Sequence, residues 1–166
     1  TCKYPYRTKF LVGPITMLTK KPLLTVLLIA GWIFLSGNQP AWADTKTHYL
    51  AVHVDESDPA RMNLALNNVE NVRKYYDAKG EKVLIEVVAY GPGLKMYTAN
   101  SPVKSRIETM SIGMDNLTFS ACGNTHTKMS KKAGKKITLL EEAKIVPSGV
   151  IRLMELQEQG YSYLRP

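Results

Sequence analysis

Val83-Leu84-Ile85-Glu86-Val87-Val88-Ala89-Tyr90 runs straight into Gly91-Pro92-Gly93. A strand with one face in water alternates apolar and polar residues, and this stretch is near-continuously aliphatic. Both of its faces are therefore expected to be covered. Strands of that kind belong to parallel sheets, whose crossover helices pack on either side. Gly91-Pro92-Gly93 breaks the strand and reads as a turn with special backbone geometry.

The flanking segments supply the helices. His48 to Val54 is β-rich and opens the domain. Asp58 suits an N-cap and Pro59 the first helical turn. Met62, Leu64, Ala65, Leu66, Val69, Val72 and Tyr76 then recur at roughly helical spacing as far as Gly80, a good stop. A short turn over 94–99 is expected next, then a helix from Pro102. Leu117–Ala121 reads as a third strand, Thr125–Ala133 as a short helix, and Ala143–Val146 as a fourth strand. Val150–Gln159 reads as another helix and Tyr161–Leu164 as a fifth strand. Strands and helices alternate, with short connections throughout. The expected fold is α/β, a parallel sheet with helices on both faces, and ligands would bind along its carboxyl edge.

The first quarter of the sequence reads differently. Lys20-Lys21 precedes an apolar run from Leu23 to Leu35, followed by Ala41-Trp42-Ala43. This is the pattern of a secretory signal peptide over 17–43. Its apolar run is shorter than the ~20 residues a bilayer span needs, so no stable membrane insertion is expected after cleavage. Residues 1–16 read as an extension upstream of a start at Met17. The mature domain would be 44–166, periplasmic or secreted. The whole sequence has 22 basic and 14 acidic residues, a net charge of +8. Five of the basic residues and none of the acidic ones precede Asp44, which leaves 17 against 14, or +3. That charge gives no case for a nucleic-acid partner. The cluster Lys128, Lys131, Lys132, Lys135 and Lys136 reads first as a solvated helix face and loop.

Cys122 is the only cysteine in the expected mature chain. In an oxidising compartment it cannot pair within its own chain. It follows a strand and precedes Gly123, Asn124 and Thr125, the last two good helix caps. A thiol on the rim of a sheet, touched by solvent and facing a helix start, has a lowered pKa and is a nucleophile. Cys122 is the candidate catalytic residue, with Gly123, Asn124, Thr125, Gly91 and Gly93 as candidate binding residues. Alternatively Cys122 is a small packing residue. His126 reads as an exposed histidine. His48 and His53, five apart on one strand, point to opposite faces, and no cluster has metal spacing, so no metal site is expected. No GxGxxG or GxxxxGK pattern occurs, and no cofactor is implied. Tyr90 and Tyr97 could wall a pocket beside the Gly91 turn.

Three segments together resemble the DsrE/DsrF-like family. They are Phe119-Ser120-Ala121-Cys122-Gly123-Asn124-Thr125, Val146-Pro147-Ser148-Gly149, and the ending Leu156-Gln157-Glu158-Gln159-Gly160-Tyr161-Ser162-Tyr163-Leu164-Arg165-Pro166. The resemblance covers about 48–166. It implies a three-layer α/β/α sandwich with a mostly parallel five-stranded sheet, and a homo-oligomer. Sulfur-relay members of the family hold persulfide sulfur on a cysteine and pass it between proteins, and Cys122 is the matching position. A sulfur donor or acceptor protein would then be a partner. The relay proteins are cytoplasmic, whereas this chain reads as exported, and their cysteine context differs. The alternative is a non-catalytic, oligomeric small-ligand-binding module of the same fold.

Overall fold

A computed structural model describes residues 45–166. The expected upstream extension (1–16), signal peptide (17–43) and cleavage site lie outside the described residues. Among the described residues, no helix is long and apolar enough to cross a membrane.

The elements run in the expected order. They are β1 (Thr47–Val54), α1 (Pro59–Asp77), β2 (Lys82–Ala89), a 3-10 helix (Gly91–Tyr97), α2 (Lys104–Gly113), β3 (Leu117–Cys122), α3 (Gly123–Ala133), β4 (Ala143–Val146), α4 (Gly149–Glu158) and β5 (Ser162–Leu164). Asp58 caps α1 by accepting the Ala60 amide, with Pro59 in the first turn. The five strands form one sheet in the order β4-β3-β2-β1-β5, every pair parallel. β2 is central, and Val83, Ile85, Val87, Val88 and Ala89 are all buried, as its aliphatic run requires. The result is a three-layer α/β/α sandwich.

The two faces are filled unequally. Val52, Val54, Val87, Ala89, Phe119 and Ala121 point to one face, where they join the large core built with α1, the 3-10 helix and α2. Ala51 and Val88 point to the other and meet Leu153 and Leu156 of α4. The reason is topological. Successive steps from β1 to β4 move outward in one direction, and α4 then returns the chain across the sheet to place β5 beside β1.

This arrangement creates a switch point in the sheet. β3 leads into α3, which packs beside the 3-10 helix, whereas the neighbouring β4 leads into α4 on the opposite face. Where adjacent strands send their helices to opposite sides, an α/β sheet opens a cleft at its carboxyl edge. Cys122 is the last residue of β3, paired with Val146, the last of β4.

Candidate functional site

Cys122 ends its strand and caps the next helix itself. With φ −66° and ψ 114°, its sulfur accepts the Thr125 amide at 3.5 Å. This replaces the expected arrangement, in which Asn124 and Thr125 would cap a helix beginning at Thr125. The helix begins two residues earlier because the thiol takes the capping role. Asn124 is exposed, and its amide goes to the Pro147 carbonyl at 3.2 Å, which ties α3 to the turn before α4.

That turn brings a second helix N-terminus to the same residue. Gly149, the first residue of α4, lies so close that a Cβ there would sit 3.1 Å from Cys122 Cβ and 2.9 Å from Tyr90 Cβ. Burial raises the thiol pKa. The Thr125 hydroxyl, with the Gly149 and Thr125 amides, outweighs it, so the net shift is downward. Donors aimed at a sulfur stabilise its thiolate, and the positive ends of two helices act in the same sense.

The thiol is not open to solvent as the sequence suggested. Cys122 is 4% exposed, because α4 packs its glycine against it. Gly123 is equally close to the crevice wall: a Cβ there would meet the Val146 carbonyl at 3.0 Å. The two glycines thus hold both helix starts near the sulfur.

The other expected site residues divide. Thr125 Oγ1 accepts the Gly91 amide at 3.0 Å, and Gly91 has φ +53°, a left-handed conformation suited to glycine. Gly91 therefore acts through Thr125. Gly93 serves packing: a Cβ there would lie 2.2 Å from the Val54 carbonyl oxygen, so protein backbone fills the space a ligand would need. His126 is 8% exposed, correcting the expectation of an exposed histidine. Its Nε2–H donates to the Ile137 carbonyl at 2.7 Å, fixing the loop after α3. Tyr97 lies in the core and donates to the Val87 carbonyl. The five lysines of the basic cluster are all exposed.

Tyr90 follows Ala89 as Cys122 follows Ala121, and those two residues are register partners. Parallel neighbours at one level point to the same face, so Tyr90 stands beside Cys122. Its ring stacks on His53 at 4.6 Å, with 20° between the planes. His53 is in turn bound through Nδ1 to the Tyr163 hydroxyl at 2.6 Å. A row of side chains thus runs along the carboxyl edge from Cys122 to β5. The sequence singles out His53 only as a possible metal ligand with His48, which their strand spacing disfavours. Its one visible signal was its position at the end of β1, on the face opposite His48, which stacks on Tyr76 of α1.

Below this row lies a polar cluster with no counterpart in the expected site. Glu86, 6% exposed, accepts from Arg152 at 2.8 and 2.7 Å and from Ser120 Oγ at 2.6 Å. It forms the floor of a groove of about 590 Å³ between β4 and α4, whose rim is Val146-Pro147-Ser148. Among the described residues, no three His, Cys, Asp or Glu side chains are grouped to hold a metal ion.

A solved structure resembles this one: that of MTH1491 from Methanobacterium thermoautotrophicum, a protein of unknown function. The two share 31% sequence identity over 72% of this chain and 99% of that one, with a TM-score of 0.59. No family model and no curated protein matches the chain.

Proposed function

The chain belongs to the same family as MTH1491, and from that premise we propose that Cys122 is a nucleophilic thiol that carries or exchanges sulfur. The observation that carries this reading is a thiol that accepts the Thr125 amide at the start of α3 while Gly149, the first residue of α4, packs against its Cβ. In a transfer, the Cys122 thiolate attacks the terminal sulfur of a persulfide, R–S–SH. A new S–S bond forms, the old one breaks, and R–S⁻ leaves with the electron pair. Cys122–S–SH remains, ready to pass its outer sulfur to an acceptor thiolate by the same displacement. The DsrE/DsrF-like motif and the switch-point position of Cys122 support the reading. The same proposal includes sulfur donor and acceptor proteins as partners and a homo-oligomer, while a location outside the cytoplasm rests separately on the leader pattern over 17–43.

Alkylation of the native protein across pH tests it. The rate is expected to rise with a midpoint below the ordinary thiol value of about 8.5, and to vanish in Cys122→Ser. A Cys122 that labels only after denaturation would falsify the proposal. Intact mass without reductant is expected to show an added sulfur, or a mixed disulfide, on Cys122.

Gly149→Ala gives a sharper test. The added methyl presses on both Tyr90 and Cys122 and would move the start of α4 away from the thiol. The thiol midpoint is expected to rise by about one unit, so that labelling near neutral pH slows about tenfold. An unchanged midpoint would remove the α4 amide from the argument.

The slight exposure of Cys122 favours one second reading, a small-ligand-binding module in which the cysteine only packs. Cys122→Ala separates the two, because a module keeps its ligand and assembly in that variant.

A further inference from the structure

β5 is three residues long and pairs only with β1, through Ser162, Tyr163 and Leu164. So short an edge strand needs side chains to hold it. Two contacts at the carboxyl edge do so: the Tyr163 hydroxyl meets His53 Nδ1 at 2.6 Å, and Arg165 holds both oxygens of Asp55 at 3.0 and 2.9 Å. Glu56, 3.6 Å from Arg165, adds a weaker partner.

His53 is the unusual member. It is 5% exposed, and its Nε2 has no hydrogen-bond partner among the described residues. That nitrogen lies 3.9 Å from Asp55 Oδ2, too far to bond. The space beside it, bordered by Asp55, Glu56, Arg61 and Pro166, holds about 10 Å³, room for no more than one water. The charged or titratable groups around the ring are Asp55 and Glu56 after β1, Tyr90 after β2, Tyr163 and Arg165 of β5 and its end, and Arg61 of α1.

We infer that His53 is a proton-operated latch on the C-terminal strand, closed while its imidazole is neutral and released when the ring gains a proton. A neutral ring leaves Asp55 wholly to Arg165 and keeps Nδ1 on Tyr163. A protonated ring carries a buried charge whose nearest counter-ion is Asp55, about 1 Å beyond bonding distance. Moving to close that gap draws Nδ1 away from Tyr163. It also sets two cations, His53 and Arg165, against one carboxylate. Arg165 is half exposed and turns to water or to Glu56. Both side-chain ties on β5 thus loosen in one event, and the outer edge of β1 becomes free. Burial first, opposed by Asp55 and assisted by Arg165, holds the His53 pKa below its ordinary value, so the latch is closed at neutral pH and opens on the acid side.

Amide hydrogen exchange on the full chain, normalised to intrinsic rates, tests this. Between about pH 7.5 and pH 5, protection at Ser162–Leu164 is expected to fall roughly tenfold or more while β2 and β3 hold theirs. His53→Gln keeps a polar partner for Tyr163 without titrating, and is expected to abolish the pH dependence. Tyr163→Phe, at an exposed position, is expected to give low protection at both pH values. Three results each overturn the latch. The His53 ring stays neutral by NMR down to about pH 4.5; it titrates without loss of β5 protection; or the acid-induced loss persists in His53→Gln.

Discussion

Gly93→Ala is expected to be the most damaging small substitution in the domain. Its new Cβ would lie 2.2 Å from the Val54 carbonyl oxygen, 2.6 Å from the carbonyl carbon and 2.8 Å from Asp55 Cα. All three atoms are backbone at the end of β1, so no side chain can rotate aside. Gly93 is not among the glycines with positive φ, which makes the problem one of contact and not of backbone conformation. Relief requires the 3-10 helix to move off the sheet, and that helix carries Leu94, Met96 and Tyr97 into the core. The expected cost is about 3 kcal/mol or more, above ordinary overpacking, out of a total of about 5–15 kcal/mol for a domain. Urea unfolding should show a lower midpoint with an unchanged slope. Gly113→Ala, where nothing lies within 4 Å, is the matched control and should be near neutral. If Gly93 existed to admit a ligand, its alanine variant would instead unfold at the wild-type midpoint.

That contrast shows where sequence reading stops. The aliphatic run of β2, the caps of α1 and the alternation of elements each reflect local periodicity, and they led to the parallel sheet with covered faces. The placement of Cys122 at a strand end was equally legible, because a strand, a glycine and a helix start follow one another in nine residues. What surrounds the sulfur was not. Gly149 reaches it from 27 positions later in the chain, because α3, β4 and a turn fold back. His126 looked solvated because the chain segment that buries it, near Ile137, has no periodic signal. Gly91 and Gly93 read alike as loop glycines, yet one serves Thr125 and the other a close backbone approach. Composition cannot divide those roles, because both depend on which strand ends nearby.

Arg152→Met is expected to destabilise the protein by about 3–5 kcal/mol, the usual cost of stranding a buried charge by removing its partner. Glu86 lies within the central strand at 6% exposure, and Arg152 gives it two of its three hydrogen bonds. With methionine at 152, only Ser120 remains to meet a buried carboxylate. The apolar double variant Glu86→Leu with Arg152→Met leaves no charge to strand, so it should regain most of the loss. The consequence reaches the thiol, because Arg152 lies one turn after Gly149 and its amide donates to the Ser148 carbonyl. An α4 no longer drawn to Glu86 holds its first amide less firmly on Cys122. In the single variant, alkylation should be faster where access improves, and its pH midpoint should move up toward an ordinary thiol. The double variant should restore stability before it restores that midpoint, since packing alone seats the helix less exactingly than a paired guanidinium. A single variant as stable as wild type, or a double variant no better than the single, would show that the Glu86–Arg152 pair does not seat α4.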